Sequence, residues 1–302
     1  MPAIPEGIFI PPLLEPRRTI GARTFDFDRQ VAVMAVVNRT PDSFYDRGRT
    51  YELERAVEAV QRAEVAGADW VDIGGVPFGT AGDPVGEAEE LDRVIPVVEA
   101  VRASSDVVLS VDTYRTEVAK AAIAAGADVI NDTSGLQDEG LAEVIAGTGA
   151  TLVITHSLAR PPRTPVPSPR YGDVAGEIAT FLAERVALAR AHGVAPGQIV
   201  IDPGHDLNKN TLHTLELTRR LAEITALGYP TLAAVSNKDF IGETLDAPQG
   251  QRLSGSLAAA VICVMLGARI IRMHDVAESV AAARLTEAVL GFRAPAYLRH
   301  NV

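Results

Sequence analysis

The chain repeats one pattern about every thirty residues: a short apolar run, a polar cluster and then an amphipathic helical stretch. Eight apolar runs lie at residues 31–37, 70–73, 107–111, 129–130, 151–154, 199–201, 231–235 and 269–273. They are rich in Val and Ile and lack polar alternation, which is typical of strands buried on both faces. The repeat therefore favours parallel strands connected by helices.

Helical periodicity follows most of these runs, at residues 52–66, 87–102, 116–125, 178–192, 212–227 and 277–290. Several of the strands are preceded by a glycine that ends a helix, as at Gly67, Gly126 and Gly267, and glycine is the usual left-handed helix stop. Strands alternating with helices predict an α/β fold, and eight strands are the number that closes a barrel. We predict a single (β/α)8 TIM barrel, with an open, doubly wound sheet as the alternative.

The predicted barrel spans residues 31–292, between an N-terminal extension at 1–30 and a C-terminal tail at 293–302. Within the extension, residues 23–27 alternate in polarity, which predicts a small hairpin that plugs the barrel floor. Residues 160–170 hold five prolines and three arginines without periodicity. They predict a long, mobile loop after the fifth barrel strand.

Charge and cysteine content exclude several classes of protein. The 302 residues include 39 acidic and 28 basic ones, a net charge of -11 without a basic stripe, so we expect no nucleic-acid partner. The single cysteine, Cys263, cannot form an intrachain disulfide, and its apolar surroundings predict a buried, inert thiol. No apolar run is long enough to span a bilayer and residues 1–18 do not form a signal peptide, so we predict a cytoplasmic protein without membrane contact.

A polar residue ends every predicted strand. In a barrel of parallel strands, the carboxyl ends of all the strands meet at one mouth, and the functional residues of TIM barrels lie there. Acidic groups come from the early strands and strand six, whereas cations come from strands seven and eight, so a ligand with a donor-rich end and a phosphate-like end would fit. The residues are Asn38, Asp72, Asp112, Asn131, Asp132, His156, Asp202, Ser236, Asn237, Lys238, Arg272 and His274.

Six segments in order along the chain resemble the signatures of the dihydropteroate synthase family. Residues 38–44 read Asn-Arg-Thr-Pro-Asp-Ser-Phe, where the family has Asn-Val-Thr-Pro-Asp-Ser-Phe. The other segments are residues 72–75, 110–114, 130–135, 202–204 and 272–275. The resemblance implies a barrel enzyme that condenses 6-hydroxymethyl-dihydropterin diphosphate with p-aminobenzoate, usually as a homodimer.

The resemblance also implies roles for individual residues. The implied pterin contacts are Asp112, Asn131, Asp202, Lys238 and Arg272. A carboxylate such as Asp202 can accept two hydrogen bonds from the amidine-like edge of a pterin, and a guanidinium can stack on its ring. The implied diphosphate contacts are Asn38, Arg272 and His274, and Asn38 is the implied ligand of a Mg²⁺ ion.

The chain departs from the family mainly on the side that takes p-aminobenzoate. The family continues its second signature with Glu-Ser-Thr-Arg-Pro, a motif that this chain does not keep. In the family the lysine after strand seven is followed by a serine, and Asp239 takes the place of that serine. After strand six only Lys209 of a glycine- and phenylalanine-rich stretch is kept, and the first loop carries Arg39, Tyr45 and Arg47. The altered acceptor site therefore comprises Val76, Pro77, Phe78, Gly79 and Asp239.

Three interpretations remain open from the sequence. Ordinary loop variation would leave an active synthase. A diverged paralogue, similar to the second synthase-like copy of some actinobacteria, would bind pterin with weak or absent turnover. A transferase with another acceptor is the third; a cobalamin-dependent methyltransferase is a weaker variant of it, because the chain has no cobalamin module and keeps Arg272 and His274.

Overall fold

The structure is a computed structural model that describes residues 8–38, 49–76, 85–161 and 166–300. Within these ranges the side chains of residue 38 and of residues 49–52 are not described. The strands are β1(Arg17–Ile20), β2(Arg23–Asp26), β3(Ala32–Asn38), β4(Trp70–Gly74), β5(Val108–Asp112), β6(Val129–Asp132), β7(Thr151–Thr155), β8(Ile199–Asp202), β9(Leu232–Ala233) and β10(Ile270–Met273). The helices are α1(Arg49–Val65), α2(Glu87–Arg102), α3(Thr116–Ala125), α4(Gly140–Ala146), α5(Val174–Ala191), α6(Thr211–Arg219), α7(Leu221–Thr225), α8(Asp239–Leu245), α9(Leu253–Met265) and α10(Val276–Val289).

The eight strands β3 to β10 form one parallel sheet that curls into a barrel. Hydrogen-bonded neighbours follow the order β8-β7-β6-β5-β4-β3-β10-β9, so the first barrel strand, β3, pairs with both β4 and β10. The remaining gap is bridged where the Ile201 amide donates to the Pro230 carbonyl at 3.1 Å and Ile201 pairs with Thr231. The predicted TIM barrel is confirmed, and the open sheet is excluded.

Alternate side chains of each strand divide the apolar core into two parts. Outward residues such as Val33, Val71 and Leu109 pack against the helices, and inward residues such as Met34 and Trp70 fill the barrel. This alternation follows from the two-residue period of a strand. The barrel therefore has a packed interior, as expected of this architecture.

The β1–β2 hairpin closes the floor of the barrel. Ile20, Phe25 and Phe27 are buried and belong to the same cluster as the inward residues of the strands. Phe25 stacks on Phe27 with 5.6 Å between ring centroids and meets the edge of Trp70 at 5.9 Å. The hairpin predicted at residues 23–27 is present and plugs the floor.

The inward positions become polar towards the carboxyl ends of the strands. On β4, Trp70 is followed two residues later by Asp72, and on β8, Val200 is followed by Asp202. Successive inward residues are two positions apart, so each polar residue lies directly above an apolar one. The interior therefore changes from an apolar floor to a polar mouth.

The helical predictions need two corrections. Residues 212–227 form two helices, α6 and α7, which are separated at Arg220 with φ -105° and ψ 19°. Its guanidinium donates to Glu216, Glu223 and Asp173, so the break links α6 and α7 to the start of α5. In addition, α4 and α8 were not predicted, because seven residues are too few to show a helical period.

Two further predictions concern the loop after β7 and the cysteine. Residues 162–165 lie outside the described part of the chain, and residues 156–161 and 166–173 contain no helix or strand. Cys263 is fully buried and burial raises the pKa of its thiol to about 12, which confirms an inert cysteine. No helix among the described residues is both long and apolar enough to cross a membrane.

Candidate functional site

The Asp72 carboxylate organises the polar mouth. It is fully buried, and its Oδ1 accepts a hydrogen bond from the Ser110 hydroxyl at 2.6 Å. Its Oδ2 accepts from Asn131 Nδ2 at 3.0 Å and from Arg272 Nε at 2.8 Å. One carboxylate thereby fixes the orientation of an amide and of a guanidinium, two groups for which the family resemblance implies pterin contacts.

Two acceptors remain available beside this cluster, one on Asn131 and one on Asp202. Asn131 Oδ1 is buried and has no hydrogen-bond partner among the described residues. Asp202 Oδ1 accepts from the Gly204 amide at 2.7 Å, while no donor in the described ranges reaches its Oδ2. Asp112 accepts a bond of 3.3 Å from the Thr133 hydroxyl. Because an unpaired buried acceptor costs about 1–3 kcal/mol, this arrangement favours a ligand with several N–H donors.

The ionisation of Asp202 depends on opposing effects. Burial raises the pKa of its carboxyl to about 6, while the Gly204 amide and the positive charges of Lys238, Lys209 and Arg272 act in the other direction. The group is therefore ionised at neutral pH, although it lies in a dry environment. A carboxylate in such surroundings binds a bidentate N–H donor strongly.

The cations predicted at the ends of the seventh and eighth barrel strands, here β9 and β10, include Lys238 and Arg272, and Arg272 is bonded directly to Asp72. Burial works against the charge of Arg272, but Asp72 and Asp112 raise its pKa above the usual value, so the guanidinium stays charged. Burial lowers the pKa of the Lys238 ammonium, and Arg272 lowers it further. Arg272 and Lys238 thus contribute two basic groups to the mouth.

His274 lies at the exposed rim of the same wall. Its backbone amide donates to the Ser236 hydroxyl at 3.1 Å, and its Nδ1 lies 3.0 Å from the same oxygen. The amide and the ring thus share one hydroxyl, and in the tautomer that accepts the hydroxyl proton at Nδ1 the Nε2–H is left as a donor. Partial burial lowers the pKa of this imidazole, and the charges of Arg272 and Lys238 lower it further. A neutral N–H donor is thus available for an anion at the rim.

The loop after β8 adopts a backbone that suits glycine. Asp206 has φ 64° and Asn208 has φ 53°, both in the left-handed region. The Asn208 side chain holds the loop after β7 by accepting from the Ser157 hydroxyl at 2.9 Å and from the Leu158 and Ala159 amides at 3.0 and 2.8 Å. The glycine-rich character of the family loop is therefore replaced by polar residues that form new contacts.

Lys209, the residue retained from the family loop, contacts acceptors inside the protein. Its buried ammonium donates to the carbonyls of Gly204 at 2.8 Å and Leu207 at 3.0 Å, and it lies 3.0 Å from His156 Nδ1. Burial lowers its pKa to about 7. Its three protons are thus directed at three internal acceptors rather than at the mouth.

His205 of the same loop was not assigned a role from the sequence. It is fully buried and neither ring nitrogen has a hydrogen-bond partner among the described residues. Burial lowers its pKa to about 3, and the nearby Lys209 and Lys238 act in the same direction, so the ring is neutral. Its position directly after Asp202-Pro203-Gly204 is the only sequence signal that points to it.

The altered acceptor residues are only partly described. Val76 follows the end of β4, whereas Pro77, Phe78 and Gly79 lie outside the described residues. Asp239 begins α8, but its carboxylate is 84% exposed and pairs with Arg252 at 2.9 Å. Asp239 thus stays a prediction as a residue of the acceptor site, and its carboxylate lies beside a cation and solvent.

The metal prediction rests on a side chain that the structure does not describe. The backbone of Asn38 pairs with Gly74 at the end of β3, which places it at the mouth, but its amide is outside the description, as are Arg39, Tyr45 and Arg47. Within the described residues, no group of three or more His, Cys, Asp or Glu side chains could hold a metal ion. Mg²⁺ thus stays a prediction.

Comparison with known sequences places these residues in a family. The family model described as Pterin binding enzyme matches residues 34–274. The chain is 43% identical over 282 residues to the protein named Inactive dihydropteroate synthase 2 of Mycobacterium tuberculosis, covering 92% of this chain and 88% of the relative. It is 41% identical over 258 residues to the Dihydropteroate synthase of Escherichia coli (strain K12), covering 85% and 91%.

Solved structures agree with the sequence matches. The Xanthomonas albilineans dihydropteroate synthase with 4-aminobenzoic acid superposes with a TM-score of 0.83 at 38% identity, covering 91% of this chain and 98% of that one. The same enzyme in complex with 7,8-dihydropteroate gives a TM-score of 0.79 at 36% identity over the same shares of the two chains. With the fold, the strand-end residues and these matches in agreement, the chain belongs to the pterin-binding enzyme family, as a dihydropteroate synthase-like member.

Proposed function

We propose that this protein binds a pterin in its barrel mouth, in folate metabolism, and uses p-aminobenzoate weakly or not at all. The observation that carries the proposal is the Asp72 cluster. It holds Asn131 and Arg272 in fixed orientations and leaves the acceptors of Asn131 and Asp202 unpaired at the same mouth. A flat heterocycle with adjacent N–H donors satisfies these acceptors.

Each proposed pterin contact has a chemical reason. Asp202 accepts from the amino group and the adjacent ring N–H, and Asn131 Oδ1 accepts a further donor. The Lys238 ammonium donates to the ring carbonyl, and the planar Arg272 guanidinium stacks on the ring. Asp112, whose carboxylate is 3% exposed, completes the set on β5.

The proposed diphosphate end lies at the rim. Arg272 and His274 supply a charge and an imidazole there, and the family resemblance implies a contribution from Asn38. A Mg²⁺ ion held by Asn38 and by ligand oxygens would neutralise charge on a departing diphosphate, and Mg²⁺ commonly binds through few protein ligands and several phosphate oxygens. The chain itself orients the pterin and supplies fixed positive charge.

The weak use of p-aminobenzoate is supported by the loops on the acceptor side. Lys209 donates to internal carbonyls and lies beside His156, and Asp206 adds negative charge beside Lys238. Relatives named as inactive synthases are similar over most of the chain, at 41–43% identity. The alternatives are an active synthase, favoured by the 41% identity to the Escherichia coli enzyme, and a transferase with another acceptor.

A homodimer through the late helices is part of the proposal. Helix α9 leaves Ile262 48% exposed, and α10 leaves Leu285 and Val289 68% and 59% exposed. Neighbouring apolar side chains on two adjacent helices suit a self-complementary interface. The cytoplasmic location stays a prediction.

The direct test is calorimetric titration of a pterin into wild type, Asp202→Ala and Asp128→Ala. We expect wild type to bind and Asp202→Ala to lose several kcal/mol of binding free energy, because two ligand donors would be buried without an acceptor. Asp128 is a matched control, since it is a partly buried carboxylate at the floor end of the barrel, bonded to Arg102 and the Leu109 amide. No binding by wild type, or equal binding by wild type and Asp202→Ala, would contradict the proposal.

A further inference from the structure

Asp206 is tied to two helices on the acceptor side of the mouth. Its Oδ2 accepts from the Phe240 amide in the first turn of α8 at 3.2 Å, and its Oδ1 accepts from the Thr214 hydroxyl of α6 at 3.1 Å. Phe240, whose amide donates the first of these bonds, lies two residues after Lys238 in the sequence. An amide in a first helical turn is a natural partner for an anion, and here a carboxylate of the protein itself takes it.

The backbone of Asp206 shows that this carboxylate is held in place against its conformational preference. Its φ of 64° is a left-handed conformation that glycine adopts without strain and that aspartate adopts less readily. The two side-chain bonds offset this preference. A substitution by Gly or Asn is compatible with the same backbone, so the charge can be removed without forcing the loop to move.

The Asp206 side chain is partly buried and bonded to two helices, whereas that of Asp239 is exposed. Burial raises the pKa of the Asp206 carboxyl, and Lys238 and the Phe240 amide counteract the effect. Asp206 also interacts electrostatically with Lys209. Asp239, in contrast, is 84% exposed and paired with Arg252. Of these two carboxylates, Asp206 is the one that competes with an anionic ligand for Lys238 and for the start of α8.

We infer that Asp206 is a specificity-determining residue that excludes acceptors carrying a carboxylate, so that the acceptor cleft admits neutral arylamines instead. This inference rests on the proposed pterin-binding function and names the acceptor class for the same site. A fixed carboxylate already satisfies the Phe240 amide and faces the same lysine that an acidic acceptor would approach. Like charges in a partly dry cleft repel several times more strongly than in water.

The test compares two ligands that differ only in charge, 4-aminobenzoic acid and 4-aminobenzamide. Their dissociation constants are measured by calorimetry for wild type, Asp206→Asn and Asp206→Gly, with and without a bound pterin. We expect wild type to prefer the amide, and both variants to shift the acid-to-amide ratio about tenfold or more towards the acid. Asp239→Ser serves as the control and should shift the ratio less than about threefold, because its charge is exposed and paired.

Several outcomes would overturn the inference. An unchanged acid-to-amide ratio in both Asp206 variants would mean that Asp206 only links α6 to α8. The same conclusion would follow if the variants changed thermal stability but not this ratio. An equal shift for Asp239→Ser would assign the exclusion to general surface charge. Failure of all forms to bind either arylamine would show that there is no acceptor cleft. Failure of wild type to bind pterin would instead remove the proposed function, while the ratios measured without pterin would still test Asp206.

Discussion

The two sides of the barrel mouth are built differently. The proposed pterin side consists of side chains on the strands, held by one buried carboxylate that contacts three of them. The proposed acceptor side includes the loop after β8, where Asp206 and Asn208 occupy left-handed positions and Lys209 is bonded to its own loop. Strand positions are fixed by barrel packing, whereas loops tolerate substitution. The departures from the family signatures that the sequence shows accordingly lie mainly in loops.

The largest effect is expected at the centre of the pterin side. Asp72→Ala should lower the free energy of unfolding by about 3–5 kcal/mol, because it leaves the Arg272 charge buried without its partner. It should also abolish measurable pterin binding, since Asn131 and Arg272 lose their common anchor. Chemical denaturation and calorimetric titration measure the two quantities.

Asp69 offers a matched control at the other end of β4. Its carboxylate pairs with Arg284 at 3.1 Å and accepts from the Val33 amide at 2.9 Å, on the floor side of the barrel. Asp69→Ala should therefore lower stability and leave the pterin affinity of the folded protein unchanged. Equal loss of pterin binding in both variants would show that the Asp72 effect is a general consequence of weakening β4.

A smaller effect is expected from the raised pKa of Asp202. Since its folded pKa is about 6 and its ordinary value is 3.8, the folded state holds the proton more tightly, and stability falls as the pH rises from about 4 to about 6. Asp202→Asn removes this penalty and keeps an acceptor for the Gly204 amide. We expect it to raise the free energy of unfolding by about 3 kcal/mol at pH 7 and by close to nothing below pH 4.

Denaturation at both pH values separates this electrostatic effect from packing. A gain that is the same at pH 4 and pH 7 would contradict the account, because the ionisation of Asp202 would then not be its cause. The same variant should bind pterin more weakly at pH 7, since an amide cannot accept two donors from the pterin edge. Stability gained together with affinity lost would mark Asp202 as a binding residue that destabilises the fold.

Much of the fold could be predicted from the sequence, because it depends on local patterns. The apolar runs gave all eight barrel strands within a few residues, and a polar residue at each strand end predicted the mouth. The helices α4 and α8 were missed because seven residues do not establish a period. The break at Arg220 depends on contacts with a different helix, α5, which no local pattern contains.

The site residues that could be predicted from the sequence are those at the carboxyl ends of the strands. Asp202 and Arg272 were found from their positions, but the anchoring role of Asp72 depends on three neighbours from different strands. The contact between Asp206 and Phe240 joins residues 34 positions apart, and it was invisible in the sequence. For the same reason, sequence reasoning assigned the acceptor charge to Asp239, whose pairing with Arg252 appears only in three dimensions.

The most direct test of the difference between the two sides is a steady-state assay of dihydropteroate formation. Wild type is supplied with 6-hydroxymethyl-dihydropterin diphosphate, p-aminobenzoate and Mg²⁺, beside the Escherichia coli synthase under the same conditions. The account predicts weak or absent turnover by a protein that calorimetry shows to be loaded with pterin. Turnover at a rate comparable to that of the Escherichia coli enzyme would contradict it.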